Sequence, residues 1–224
     1  MAWYGQAHLD MVCAGALAMP NTQPPVSRVS GAAQSDSWSI ESYSVELRAA
    51  GADVFGQLIV PLYLTRQTTA AIIRESAASG LLRACKYYPP HGMTNSKHGM
   101  PMDDLIGGEV FHAMEECSIV LCIHGEPHAL SGPDYIDARQ NAETRFYTER
   151  MPRLVAAHPK LRIVCEHITP RTAAEFVTSA PEHVGATITP QHLLYTVGHL
   201  IQGLNYPLYC LPIVKFQDDR AALR

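Results

Sequence analysis

Seven short apolar stretches punctuate the chain: Gly15–Met19, Phe55–Leu64, Leu81–Tyr88, Ser118–Ile123, Leu161–Cys165, Gly185–Ile188 and Leu208–Val214. Runs such as SIVLCI and IVPLYL are nearly continuous rather than alternating. Burial on both faces produces that pattern, as in a parallel sheet covered by helices. The polar-apolar segments between them predict helices. Thr68–Ser79 is closed by Gly80, Asp103–Glu116 carries acids at its start, and Asp137–Ala157 is long and mixed in polarity. Thr169-Pro170 predicts an N-cap followed by proline at the first helical position, opening a helix through Thr178. Thr189-Pro190 predicts a second start of the same kind. Val26–Ala50, rich in Ser and Ala, predicts either a helix after Asp36 or a loose stretch. Strands alternating with helices at this spacing make the expected class α/β.

Composition narrows the picture. Of 224 residues, 47% are hydrophobic and only 17% charged, which favours a packed globule over disorder. A net charge of −4 without a long Lys/Arg run argues against nucleic acid or an anionic membrane as the main partner. Each apolar run is shorter than a membrane span, and MAWYGQAHLD lacks the basic-then-apolar order of a secretory signal. Six cysteines without a CxxC pair read as free thiols of a reducing cytoplasm, not a disulfide framework.

The candidate chemistry lies where apolar runs stop. Lys86 sits within LLRACKYY, where it either snorkels to the surface or faces a cleft as a neutral or modified amine. His124 ends SIVLCI and His167 ends LRIVCE, at the strand ends where barrels and open sheets place their active groups. Either histidine alone reads as structural. With Lys86 they form a set that could grip one ion, and imidazole nitrogen suits zinc. Glu126 and Glu166 either orient those ligands or form salt bridges. Asn21, after GALAMP, is either a turn residue or a binder of a carboxylate or carbonyl. His192 follows a helix start and could face the same pocket. The loop Pro89–Pro101 (PPHGMTNSKHGMP) is either a lid over the strand ends or an ordinary connection.

MPNTQPPV, KYYPPHGMTNSKHGM, IVLCIHGE, EHITPRTAAEFV, ATITPQHLLY and PLYCLPIVK together resemble, in order and spacing, the short single-domain dihydroorotases of the amidohydrolase superfamily. That resemblance implies a (β/α)8 TIM-type barrel with zinc at its C-terminal face. It also implies interconversion of dihydroorotate and N-carbamoyl-L-aspartate in pyrimidine biosynthesis. By motif, Lys86 matches the carboxylated lysine that bridges two metals, and His124 and His167 match two imidazole ligands. Asn21 matches a residue holding the substrate carboxylate. Thr94 lies in the loop that closes over substrate, and Leu211 matches a backbone contact to the substrate ring.

The family opens with a His-x-His strand followed by an Arg, where this chain has His8-Leu9-Asp10. The family's strand-end Asp lies beyond Arg224. The expectation is therefore a single barrel-like domain over residues 1–224, lacking the first metal-binding motif and the final strand or strands. It would hold one zinc at most, its catalytic proton carrier would be unassigned, and its activity would be impaired. The resemblance also implies a carboxylate-bearing small-molecule substrate, a cytoplasmic location and a homodimer. Two other readings are a non-catalytic barrel-like protein that binds or stabilises a partner, and a related cyclic amidohydrolase acting on hydantoin-like rings.

Overall fold

The structure is a computed structural model that describes residues 6–8, 10–92 and 94–224; Leu9 and Met93 of the Pro89–Pro101 loop lie outside the described residues. Five strands form a parallel sheet in the order β5-β6-β7-β8-β9: β5 (Leu62–Tyr63), β6 (Ala84–Tyr87), β7 (Val120–Ile123), β8 (Ile163–Cys165) and β9 (Val184–Ala186). Two parallel pairs accompany it, β1 (Gly15–Leu17) with β4 (Gln57–Ile59), and β2 (Val26–Arg28) with β3 (Trp38–Ser39). The continuous apolar runs thus become parallel strands, as burial on two faces requires.

Register sorts the residues by face. Leu62, Cys85, Leu121 and Ile163 align across the sheet, all nearly inaccessible to solvent, and belong to the main hydrophobic cluster. The next row, Tyr63, Lys86, Cys122 and Val164, points to the opposite side. One two-residue step further along the same face come His124 and Glu166. The alternation that buries Leu121 under the helices therefore delivers Lys86 and His124 to the opposite face.

The helices pack on the other side. α1 (Ile40–Ala49) is capped by Ser39, and α2 (Ala70–Ala78) by Thr69, whose hydroxyl accepts the Ile72 N–H. Gly80 follows α2 with a left-handed φ of 76°, as its stop-signal reading predicts. α3 (Glu109–Glu116) buries Phe111, Ala113 and Met114. A short α4 (Gly132–Ile136) precedes α5 (Ala142–Arg145), which runs through a π-helical turn, Phe146–Arg150, into α6 (Met151–Ala157). α7 (Arg171–Ser179), α8 (Pro190–Leu194), α9 (Val197–Ile201) and α10 (Gln217–Leu223) complete the set.

Several expectations need correction. Phe55–Leu64 breaks into β4 and β5 around Pro61, which has no N–H for the ladder. Asp103–Glu116 is a 3-10 turn (Met102–Asp104) and a separate helix, parted at Gly107 with φ 75°. Asp137–Ala157 becomes helical only at Ala142, where the Asn141 side chain caps the Thr144 N–H. Pro170, not Thr169, is the N-cap of α7; the Thr169 hydroxyl donates to buried Glu143 instead. Leu208–Val214 forms no strand. Tyr206–Leu208 is a 3-10 turn, Pro207 and Pro212 offer no N–H, and side chains satisfy the carbonyls of Pro212 and Ile213.

Candidate metal centre

Three strand ends bring the predicted set together. Lys86 on β6 is 1% exposed, and its ammonium meets the Glu166 carboxylate beyond β8. Its Nζ also lies 5.1 Å from the centre of the Tyr88 ring. Burial pushes the Lys86 amine down to about 7, so a neutral, nucleophilic form is accessible near neutrality. His124, just past β7, is fully buried and lies with Nε2 2.6 Å from Glu126 Oε2. His167, past β8, turns with φ 45° and holds its ring centre 5.0 Å from that of His124. The His167 N–H donates to Thr187 Oγ1 at 2.9 Å, fixing that turn.

Electrostatics keeps both rings neutral. Burial, then the charges of Lys86 and Lys215, drives His124 well below the usual imidazole range. Burial and the neighbouring His124 do the same for His167. The Nδ1 atoms of His124 and His167 are both buried without a hydrogen-bond partner. Buried polar atoms are rarely left so, and unpartnered imidazole nitrogens are what a divalent metal would take up. The donor set thus fits the expected metal. Glu126 contacts His124, whereas Glu166 pairs with Lys86.

Gly125 is needed between them. A β-carbon there would lie 2.8 Å from the Tyr147 ring and hydroxyl, so only glycine lets the His124–Glu126 turn pass. Gly99 plays the same part in the Pro89–Pro101 loop, where a β-carbon would run into the Tyr88 carbonyl.

The other candidates surround this centre. Asn21 accepts the Tyr88 hydroxyl at 2.8 Å and donates to the Thr94 carbonyl at 3.3 Å, while Asn95 donates to the Asn21 carbonyl at 3.0 Å. Asn21 is therefore bonded to the exposed loop segment carrying Thr94, and Tyr88 links it to the face of Lys86. Leu211 is half-buried and precedes Pro212, whose carbonyl accepts from His192 Nε2 at 3.0 Å. Burial pushes His192 down to about 4.

Sequence reasoning overlooked Tyr88, Glu143 and Lys215, and read Thr169 only as an N-cap. Lys215 carried the same signal as Lys86, a lysine ending an apolar run. Glu143 carried none, because an acid one residue inside a helix start looks like dipole compensation.

Among the described residues, the group of histidine and acidic side chains whose ligating atoms all lie within 4.8 Å of one another is a different one, His112, Glu115 and His158. It sits on the helical side. His158 Nε2 accepts the Gly107 N–H at 3.0 Å, so the neutral ring carries its proton on Nδ1, the atom facing Glu115. An ion there would have to displace that proton.

Parallel strands with helices on one side give this chain the α/β fold of solved amidohydrolase barrels, of which it covers a part. Its particular likeness is to dihydroorotase. The chain is 42% identical over 211 residues to dihydroorotase of Pseudomonas putida (strain W619), covering 94% of this chain and 57% of that protein. It is 38% identical over 218 residues to dihydroorotase of Alkalilimnicola ehrlichii, covering 96% of this chain and 60% of that protein. Dihydroorotase of Campylobacter jejuni superposes with a TM-score of 0.77 at 28% identity, over 94% of this chain and 56% of that one. The Saccharomyces cerevisiae enzyme, in complex with 5-fluoroorotic acid, gives 0.76 at 26%, over 94% and 57%. L-hydantoinase of Arthrobacter aurescens shares the fold, with a TM-score of 0.64 at 16% identity over 94% and 47%. No family model matches the chain. The chain is thus dihydroorotase-like over nearly all its residues and spans about 57% of the length of the curated relatives it matches.

Proposed function

We propose that the strand-end centre binds zinc and that the protein acts as a dihydroorotase-type cyclic amidohydrolase. The observation that carries this reading is the pair of buried, unpartnered Nδ1 atoms of His124 and His167 beside Lys86. His124 and His167 would hold the metal with Lys86. Carboxylation of Lys86, as the resemblance implies, joins its neutral amine to carbon dioxide with loss of one proton and creates an anionic oxygen ligand. Zinc supplies Lewis acidity toward the amide carbonyl of the ring and makes hydroxide available near neutral pH.

The chain's own residues position the substrate. Glu126 holds the His124 ring at a fixed angle. Asn21, steadied by Tyr88 and Thr94, offers its amide to the substrate carboxylate. The backbone at Leu211 meets the opposite edge of the ring, and Thr94 closes over it from the loop. The catalytic proton carrier is unassigned among the described residues. The similarity to dihydroorotases does not favour a non-catalytic partner role.

The six free cysteines suit a reducing cytoplasm, and no helix among the described residues is long and apolar enough to cross a membrane. Homodimer formation remains part of the proposal. Metal analysis combined with a carbamoyl aspartate cyclisation assay, run beside a hydantoin control, tests the reading. Zinc bound through Lys86 together with cyclisation supports it. Metal-free, folded, inactive protein overturns it, and preference for hydantoin moves the substrate class.

A further inference from the structure

Lys215 is a buried cation outside the ligand set, and its contacts converge on the segment that carries Leu211. Its side chain is 1% exposed, as is that of Glu143, and Nζ donates to Glu143 Oε2 at 3.1 Å and to the Ile213 carbonyl at 2.8 Å. Glu143 is shared. It also accepts the Thr169 hydroxyl on one oxygen and the Thr169 N–H at 3.3 Å on the other, two residues past His167. The Lys215 carbonyl accepts the Val197 N–H at 2.9 Å. His192 holds the Pro212 carbonyl, with its Nδ1 2.6 Å from Thr189 Oγ1.

The segment has no strand ladder, so these side-chain bonds set its path. Tyr209 and Cys210 are exposed, Leu211 is half-buried, and burial begins at Pro212, where the bonds begin. Lys215 also acts on Glu126, the carboxylate against His124, where its charge opposes the upward push of burial. One ammonium therefore serves two buried carboxylates and ties together the turn after β7, the turn after β8 and the segment after α9.

We propose that Lys215 and Glu143 are positioning residues that clamp the Leu211–Lys215 segment against the strand ends and so fix the Leu211 backbone at the substrate ring. The substrate half of this inference rests on the function proposed above; the clamp does not. A charge-assisted hydrogen bond removed here is expected to speed local opening about tenfold or more.

The test compares the unaltered protein with Lys215→Met, Lys215→Arg and the double variant Lys215→Met/Glu143→Gln, which leaves no buried unpaired carboxylate at Glu143 if the single change fails to fold. Hydrogen exchange is followed at Val197 and Thr169, whose acceptors are Lys215 and Glu143, and at Ile213–Lys215. Zinc content and dihydroorotate affinity are measured on the same samples. Lys215→Met, or the double variant, should exchange about tenfold faster at these amides and bind dihydroorotate about tenfold more weakly, with zinc content unchanged. Lys215→Arg should restore part of both. Unchanged exchange in the folded double variant overturns the clamp, as does zinc loss in parallel with exchange, which would make the pair merely structural. Absence of dihydroorotate binding in the unaltered protein would remove the substrate reading, while the exchange data still decide the clamp.

Discussion

Two groups of histidine and carboxylate side chains can be compared within this one fold. His124, His167 and Glu126 gather at the strand ends, and His112, Glu115 and His158 on the helical side. Both contain two imidazoles and an acid, and both include a buried Nδ1 without a hydrogen-bond partner. The difference is where the other ring nitrogen is spent. His124 Nε2 faces the Glu126 carboxylate, whose pKa burial raises to about 7 against the opposing charge of Lys215; with that carboxylate ionised the nitrogen donates and Nδ1 is left with a lone pair. His158 Nε2 accepts from the Gly107 backbone, so its Nδ1 keeps the proton. A hydrogen bond on the far side of the ring selects the tautomer, and the tautomer separates a ligand from a structural donor. Proximity alone does not.

The largest effect that could break this comparison is at Lys86. Lys86→Ala should reduce bound zinc to less than about a tenth, beyond the roughly 10–100-fold affinity loss typical of residues that merely support a ligand. Metal analysis showing unchanged zinc would dissolve the assigned centre. Cys85→Ser, one residue away but facing the helices, should leave zinc content alone. Glu126→Gln comes next. It removes the carboxylate that orients His124 and should weaken zinc about 10–100-fold by competition with a chromophoric chelator, the protein staying folded.

His112→Ala should leave zinc stoichiometry unchanged and alter stability by no more than about 0.5 kcal/mol, as surface substitutions do; Glu115→Gln, which keeps an acceptor for the Lys160 N–H, should also leave zinc stoichiometry unchanged. Loss of one zinc equivalent in either variant would show that the outer group is a site after all. The smallest effect is a pH slope. Burial and then His112 hold the His158 pKa below its ordinary value, so between the two values the unfolded chain binds more protons than the fold. That stability is present above about pH 6.5 and is lost as pH falls through the folded value. Urea unfolding at pH 7 and pH 5 should show a shallower acid loss in His158→Gln, which keeps an acceptor for Gly107. An unchanged slope would exclude His158 as its source.

The sheet was legible wherever an apolar run was continuous and free of proline. SIVLCI, LRIVC and LLRACKY became β7, β8 and β6, with Lys86, His124 and His167 at or just past their ends. PLYCLPIV has the same apolar density but two prolines, and it took an irregular path held by His192 and Lys215. Thr169 shows a subtler limit. Its place before Pro170 predicts a cap, yet a buried carboxylate from another helix claimed the hydroxyl. Local propensity contributes about 1 kcal/mol at such a position, and a buried carboxylate left unsatisfied costs more.

By itself, the sequence determined which residues alternate into the helix-packed face and which toward the opposite one, because strand periodicity is a property of the backbone. It also determined that a lysine and two histidines stand at strand ends. Only the tertiary structure decided that Glu126 rather than a backbone N–H meets the His124 ring, that Glu166 pairs with Lys86, and that Lys215 and Glu143 share one buried charge pair. Those choices join residues from different elements, and the free energy of a buried charge depends on which partner the packing brings within reach.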